Sequence, residues 1–248
     1  MATIALVSGG GGSLGREVAK RLSDSGCQIV LAGRNEQKLS EVALEKAFKI
    51  VADLAQPDEV QKLFDSIMSH FGQPPTLLAH CAGTVMIRPL HRTTPEQYRA
   101  CLGSNLDSAF FALQGFVKGL IETHASGRAV LVSSIAARVG ISNHAAVAAA
   151  KAGVEGLIRS AAATYAGQGL RINGVAPGMM RTAATEGFFG SSKAEEQIAA
   201  QYPLGRFGRV DDAAALICWL LSEEADWVTG QIIAVDGGFS STRPLVKR

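Results

Sequence analysis

No run of five or more basic residues interrupts the chain, and 24 Lys and Arg against 22 Asp and Glu leave a net charge of +2 over 248 residues. So even a balance gives no electrostatic footprint for a nucleic-acid backbone, and no nucleic-acid partner is expected. Long hydrophobic runs are also missing, since none approaches the ~18 residues needed to cross a membrane. The opening MATIALVSGGGG has no basic segment, and its apolar stretch is too short for a secretory signal. A cytoplasmic protein without membrane contact is expected. Cysteine is scarce, with Cys27, Cys81, Cys101 and Cys218 forming no C-x-x-C pair and no histidine at metal-ligand spacing. Each is expected to fill a small apolar gap as a thiol, with no bound metal. Charged residues are 19% and hydrophobic ones 47%, which excludes disorder. Aromatics are only 6%, so the core is expected to be aliphatic. Glycine is what the chain has in excess, 27 residues, where ~7% is usual.

The hydrophobic patterning alternates between two kinds of segment. Thr3–Val7 is a short continuous apolar run, as in a strand buried on both faces of a parallel sheet. Residues 14–22 then carry apolar positions at helical spacing, and Gln28–Ala32 is apolar again. The alternation continues with strands at 49–52, 76–80, 128–133, 171–175 and 231–235, and helices at 57–70, 95–123, 143–166 and 210–221. The expected fold is therefore α/β: one Rossmann-type, doubly wound parallel sheet of about seven strands with helices on both faces, spanning 1–248. Residues 179–203 lack clear periodicity, hold Gly187 and Gly190, and follow a strand's C-terminal end. In such a sheet that edge binds ligands, so this stretch is a candidate substrate lid, with Met179, Met180, Phe188 and Phe189 as apolar contacts.

Ser8-Gly9-Gly10-Gly11-Gly12-Ser13-Leu14-Gly15 lies between the first strand and the first helix. Glycines there admit positive φ and let main-chain amides approach a pyrophosphate, which the helix N-terminus also favours. The second strand ends at Gly33-Arg34-Asn35, where an acidic residue would repel a 2′-phosphate. Arg34 instead offers a fork that suits a phosphate. Asp53 and Leu54 follow the third strand, where an Asp also serves as a helix cap.

These motifs resemble the short-chain dehydrogenase/reductase family over nearly the whole chain. The loop resembles its T-G-x-x-x-G-x-G, with Ser8 for the threonine and Ser13 for the middle glycine. His80-Cys81-Ala82-Gly83 stands at its N-N-A-G, Asn105 at its helix asparagine, and Ala176-Pro177-Gly178 with Met180 and Thr182 at its nicotinamide loop. The resemblance implies NADP(H) rather than NAD(H), Asp53 on the adenine amino group, and Lys151 on the nicotinamide ribose. It also implies Asn105 holding a water of a proton relay, and a homodimer or homotetramer.

The family's reaction centre is a serine, a tyrosine thirteen residues later and a lysine four beyond. Ser134 and Lys151 are present, but position 147 is Val147. Hydride reaching a carbonyl leaves an oxygen that must gain a proton or strong hydrogen bonds, and a valine supplies neither. His144 is the nearest replacement, expected in the first turn of a helix capped by Ser142 or Asn143, where it would donate to the developing oxyanion. His80 is expected to be structural, and His70, His91 and His124 to be solvated outside the cluster. The implied function is an NADP(H)-dependent oxidoreductase for ketone or 3-oxoacyl substrates, with Ser134, Lys151, Asn105 and His144 as its centre. The rival readings are a nucleotide-binding protein without dehydrogenase activity, and isomerisation or double-bond reduction on the same scaffold.

Overall fold

The computed structural model describes residues 2–243. Seven parallel strands form one sheet, β1 (Ile4–Ser8), β2 (Gln28–Gly33), β3 (Phe48–Val51), β4 (Leu77–His80), β5 (Gly127–Val132), β6 (Leu170–Pro177) and β7 (Ile232–Val235). Their order is β3-β2-β1-β4-β5-β6-β7, so the chain reverses its direction of travel across the sheet between β3 and β4. That reversal leaves a crevice beyond the carboxyl ends of β1 and β4. Ser8 is in register with both Ala32 and His80, which aligns the ends of three strands around it.

Side-chain alternation along β1 divides the core in two. Ile4 and Leu6 face the layer of α3 (Pro57–Phe71), α5 (Ser108–Glu122) and α6 (Ala145–Tyr165), against Leu63, Phe116 and Ile158. Ala5 and Val7 face α1 (Ser13–Asp24) and α8 (Val210–Leu221), against Val18 and Ile217. The inner strands are thus buried on both faces, which is why they read as near-continuous apolar runs, while the edge strands β3 and β7 are only partly buried.

Three segments depart from the sequence reading. The expected single helix at 95–123 is α4 (Pro95–Leu102), a wide π turn at Gly103–Asp107, and α5. The insertion leaves the apolar spacing nearly helical, and so it is invisible to periodicity. A short α2 (Glu36–Ser40) follows β2, begun by Asn35, whose side chain accepts from Lys38 N at 2.8 Å. Residues 179–203 are not irregular throughout, because Ser191 caps a helix α7 (Ser192–Ala199). Its polar outer face masks the period.

Ile158 is fully buried, and its Cδ1 lies 2.7 Å from where a Cβ on Gly174 of β6 would stand. Ile158→Ala should lower the unfolding free energy by ~2–5 kcal/mol, read by denaturant titration.

Candidate active site

The turn after β1 is built by main chain rather than side chains. Gly9 has φ +67°, and a Cβ on it would meet Ala82 N at 2.7 Å. A Cβ on Gly15 would stand 2.3 Å from Gly9 O, so α1 starts directly on the loop. No side chain caps the start of α1 and no acidic residue stands in its first turn. The amides of Ser13, Leu14 and Gly15 are therefore left for an outside acceptor, which fits a diphosphate. Gly12 N instead closes the turn on Gly9 O at 2.9 Å. Arg16 braces the loop by donating to Gly11 O and Lys38 O. Arg34 is exposed beside this floor and joins no ion pair among the described residues. Asp53 Oδ1 accepts from Ala55 N at 3.1 Å, while the residue that begins α3 is Gln56. Asp53 thus closes a local turn, ahead of Leu54, which is buried.

Beneath the loop, His80 is fully buried between Ser8 and Ser108. Ser108 Oγ donates to Ser104 O at 2.9 Å, so it accepts from His80 Nε2 at 3.3 Å. His80 Nδ1 then accepts the Ser8 hydroxyl at 2.8 Å. Burial first, and the nearby Lys151 second, push this imidazole down to about 3. It stays neutral at ordinary pH, as the structural reading expects.

A cleft of about 290 Å³ opens beside this chain of hydrogen bonds, lined by Cys81, Ala82, Gly83, Asn105, Ser134, Val147 and Lys151, and by Pro177, Gly178, Met180 and Thr182. Lys151 projects from α6 and donates to Val132 O at 2.7 Å. No carboxylate pairs with it among the described residues. Burial pushes the ammonium down to about 8, against a weaker opposite pull from Cys81 and Cys101. Burial likewise pushes the Cys81 thiol up to about 12, so it is no nucleophile at neutral pH. Ser134 Oγ accepts from Ala136 N at 3.2 Å, which leaves its own proton free. Val147 packs with Ala146 and Cys101 in an apolar cluster on the cleft wall.

The side chain of Asn105 is committed elsewhere. Its Oδ1 accepts from Thr84 N at 3.2 Å, and its Nδ2 donates to Cys101 O at 3.0 Å. It fastens the segment after β4, so a water at this position would have to use main chain in the π turn. His144 is not in the first turn but is the residue before it, following Asn143 at φ +65°. Its Nδ1 lies 2.7 Å from Ser142 O, and a carbonyl only accepts, so Nδ1 carries the proton. A neutral His144 therefore presents Nε2 as an acceptor and not as the expected donor. His91 is less remote than its spacing suggested, since it lines a shallow depression with His144. His70 is not simply solvated, because it stacks on Phe48 with centroids 4.1 Å apart.

Residues 179–203 fold over the loop, where Ala183 N donates to Ser13 Oγ at 3.3 Å. Thr185 Oγ1 holds the turn by accepting from Thr182 N at 2.9 Å. Arg181 pairs with Glu195 and lies 4.8 Å over Phe189, which is buried, whereas Phe188 is exposed. Sequence reasoning missed two groups. Glu155 is buried, accepts from Ser133 at 3.1 Å and pairs with Arg138, locking α6 to the end of β5. Its place four residues after Lys151 was the available signal. Tyr202 also lines the cleft, and no spacing rule reaches it.

Lys151 links stability to pH. Below about 8 the fold carries the buried charge and its desolvation penalty. Between about 8 and the ordinary lysine value of 10.5 the fold sheds the proton while the unfolded chain keeps it, so stability rises with pH there. Lys151→Met should stabilise the protein by ~1–3 kcal/mol at neutral pH. Denaturant titrations across pH should show the gain shrinking toward pH 10.5.

The signature of the family described as Enoyl-(Acyl carrier protein) reductase matches residues 10–240. A tropinone reductase homolog of Arabidopsis thaliana, At2g29370, is 31% identical over 242 residues, covering 95% of this chain and 90% of that one. The 3-oxoacyl-[acyl-carrier-protein] reductase FabG of Staphylococcus aureus is 31% identical over 245 residues, covering 96% and 98%. A crystal structure of an actinorhodin polyketide ketoreductase variant with NADPH superimposes with a TM-score of 0.90 at 25% identity, covering 97% and 98%. With this sheet order, this main-chain-built turn and these relatives, the chain belongs to the short-chain dehydrogenase/reductase family.

Proposed function

We propose that the protein is an NADP(H)-dependent oxidoreductase that interconverts a carbonyl and a hydroxyl on a ketone or 3-oxoacyl substrate. The observation that carries this reading is the single cleft that gathers Ser134, Asn105 and Lys151 beside the uncapped start of α1. Bound there, a nicotinamide dinucleotide supplies hydride to a carbonyl carbon or takes it from a carbinol carbon. Ser134 donates its free hydroxyl proton to the substrate oxygen and holds the carbonyl. Lys151 stabilises the negative charge that develops on that oxygen and, directly or through one water, gives it a proton. The neutral amine then regains a proton from solvent. His144, with Nε2 as an acceptor, serves the oxidation direction better than reduction. The 179–203 segment, which gives Met179, Met180, Thr182 and Ile198 to the cleft lining, acts as the substrate lid.

Arg34 supports the preference for NADP(H), since it is an unpaired guanidinium where an NAD-type site would hold a carboxylate. An apolar depression between α3, α5 and α6, with Phe110 and Ile121 exposed at its rim, supports a homodimer or homotetramer. The relatives' printed activities, reduction of 3-oxoacyl and ketone groups, support the substrate class.

The apolar cluster around Val147 favours a second reading, a protein that binds the dinucleotide without turning it over. A panel of ketones and 3-oxoacyl thioesters with NADPH separates the two. The first reading expects wild-type turnover that falls as pH rises through about 8, where Lys151 loses its proton. A silent wild type that becomes active as Val147→Tyr would establish the second. His144→Ala should slow alcohol oxidation more than carbonyl reduction. In fluorescence titrations Arg34→Ala should weaken NADPH binding ~10–100-fold and leave NADH nearly unchanged.

A further inference from the structure

Tyr202 has no part in the chemistry just described, yet it is one of the most firmly held side chains of the cleft. The residue is only 7% exposed. Its ring lies against Gly178, where a Cβ would come within 2.9 Å of Cε1, and against Phe239 with centroids 5.3 Å apart. The phenol oxygen accepts from Met179 N at 2.7 Å. That bond uses a lone pair and leaves the hydroxyl proton without an acceptor among the described residues. The carboxylate acting on it, Asp236, accepts from Gly238 N at 3.0 Å and Ser240 N at 2.9 Å and takes no hydrogen bond from the phenol. Burial raises the phenol above its ordinary value, so the proton stays in place at neutral pH.

A buried donor without a partner is unfavourable, and such groups in folded proteins are normally satisfied. Here the unsatisfied donor lines a cleft whose neighbouring surface is apolar, including Ile141, Val147, Met179 and Ile198. Ser134 follows β5, and Tyr202 packs on the end of the adjacent strand, β6. The cleft thus offers two hydroxyl donors, at the ends of neighbouring strands, within one apolar pocket.

We propose that Tyr202 is a substrate-recognition residue whose hydroxyl donates to a second oxygen of the substrate, beside the carbonyl held by Ser134. The site is then selective for 3-oxo esters and thioesters over simple ketones. This rests on the oxidoreductase reading for which oxygen reacts, but not for the binding preference itself. A simple ketone fills the same space and leaves the Tyr202 proton buried and unpaired, and sites built to hydrogen-bond an absent group reject such ligands.

The test compares ethyl 3-oxobutanoate with 2-hexanone as probes, using saturation-transfer NMR titrations of the full chain with NADP and, separately, turnover with NADPH. Wild type should bind the oxo ester about tenfold more tightly than the ketone, and Tyr202→Phe should erase that difference. The variant should keep its affinity for the ketone and for NADPH, with the loss on the oxo ester appearing in KM and not in kcat. Equal affinity for the two probes in wild type, or no binding of either, overturns the proposal. So does a Tyr202→Phe loss shared by both probes and by NADPH, which would mean the phenol only holds the Met179 amide. Selective binding without turnover would sustain this proposal and remove the oxidoreductase reading.

Discussion

Three stretches of main chain meet at the carboxyl ends of β1 and β4 more closely than any side chain would allow. Gly9 faces the backbone of Ala82, and Gly15 faces the carbonyl of Gly9. This contact sets the start of α1 at the switch in strand order, where its free amides open toward the crevice. It also fixes where the segment after β4 leaves the sheet, and that segment carries Gly83 past Asn105 Oδ1 and Lys151 Nζ. Floor and reaction centre are therefore positioned by one packing constraint. Loosening it at Gly9 would disturb both together.

The proposed reaction centre depends on a charge that the fold tolerates rather than welcomes. Lys151 is buried with a carbonyl for a partner, and that burial lowers its ammonium's pKa against the opposite pull of two nearby thiols. A carboxylate in this position would restore an ordinary lysine and end its use as an acid near neutrality. The nearby carboxylate, Glu155, is instead engaged by Ser133, Arg138 and Arg159. Those bonds hold α6 against β5 while keeping negative charge engaged away from the amine. In the proposed mechanism, with Val147 adding no phenol, the burden of stabilising an oxygen falls on Ser134 and this cation.

The sheet was legible because its inner strands are buried on both faces and the long helices between them show an apolar stripe. The loop was legible because glycine was dense at a strand-to-helix junction. Other features left no such trace. The π turn around Asn105 adds a residue without breaking the helical spacing on either side, so 95–123 reads as one helix. His144 fell one residue outside its helix because Asn143 takes a left-handed conformation, which residue type permits but does not announce. Its role then turned on a hydrogen bond to Ser142 O, a contact that spacing does not encode. Tyr202 reaches the cleft through tertiary packing on Gly178 and Phe239, 51 residues downstream of Lys151 by the difference 202 − 151.

These cases separate two kinds of departure from the family pattern. At positions 8 and 13 the expected threonine and glycine are serines, yet the proposed anion floor consists of amides, and amides do not depend on side-chain identity. Ser8 even turns its hydroxyl inward to His80, and Ser13 turns its own to Ala183 N, so neither is needed for the floor. His80 in place of asparagine is absorbed similarly, by a directed chain from Ser8 through its ring to Ser108 and Ser104 O. Position 147 differs because the family's tyrosine, which the resemblance puts there, would act through a side-chain oxygen that Val147 lacks. Departures in main-chain-built parts are thus nearly silent. A departure in a side-chain-built part is met only by another side chain, and in the proposed mechanism the protons that meet it are those of Ser134 and Lys151.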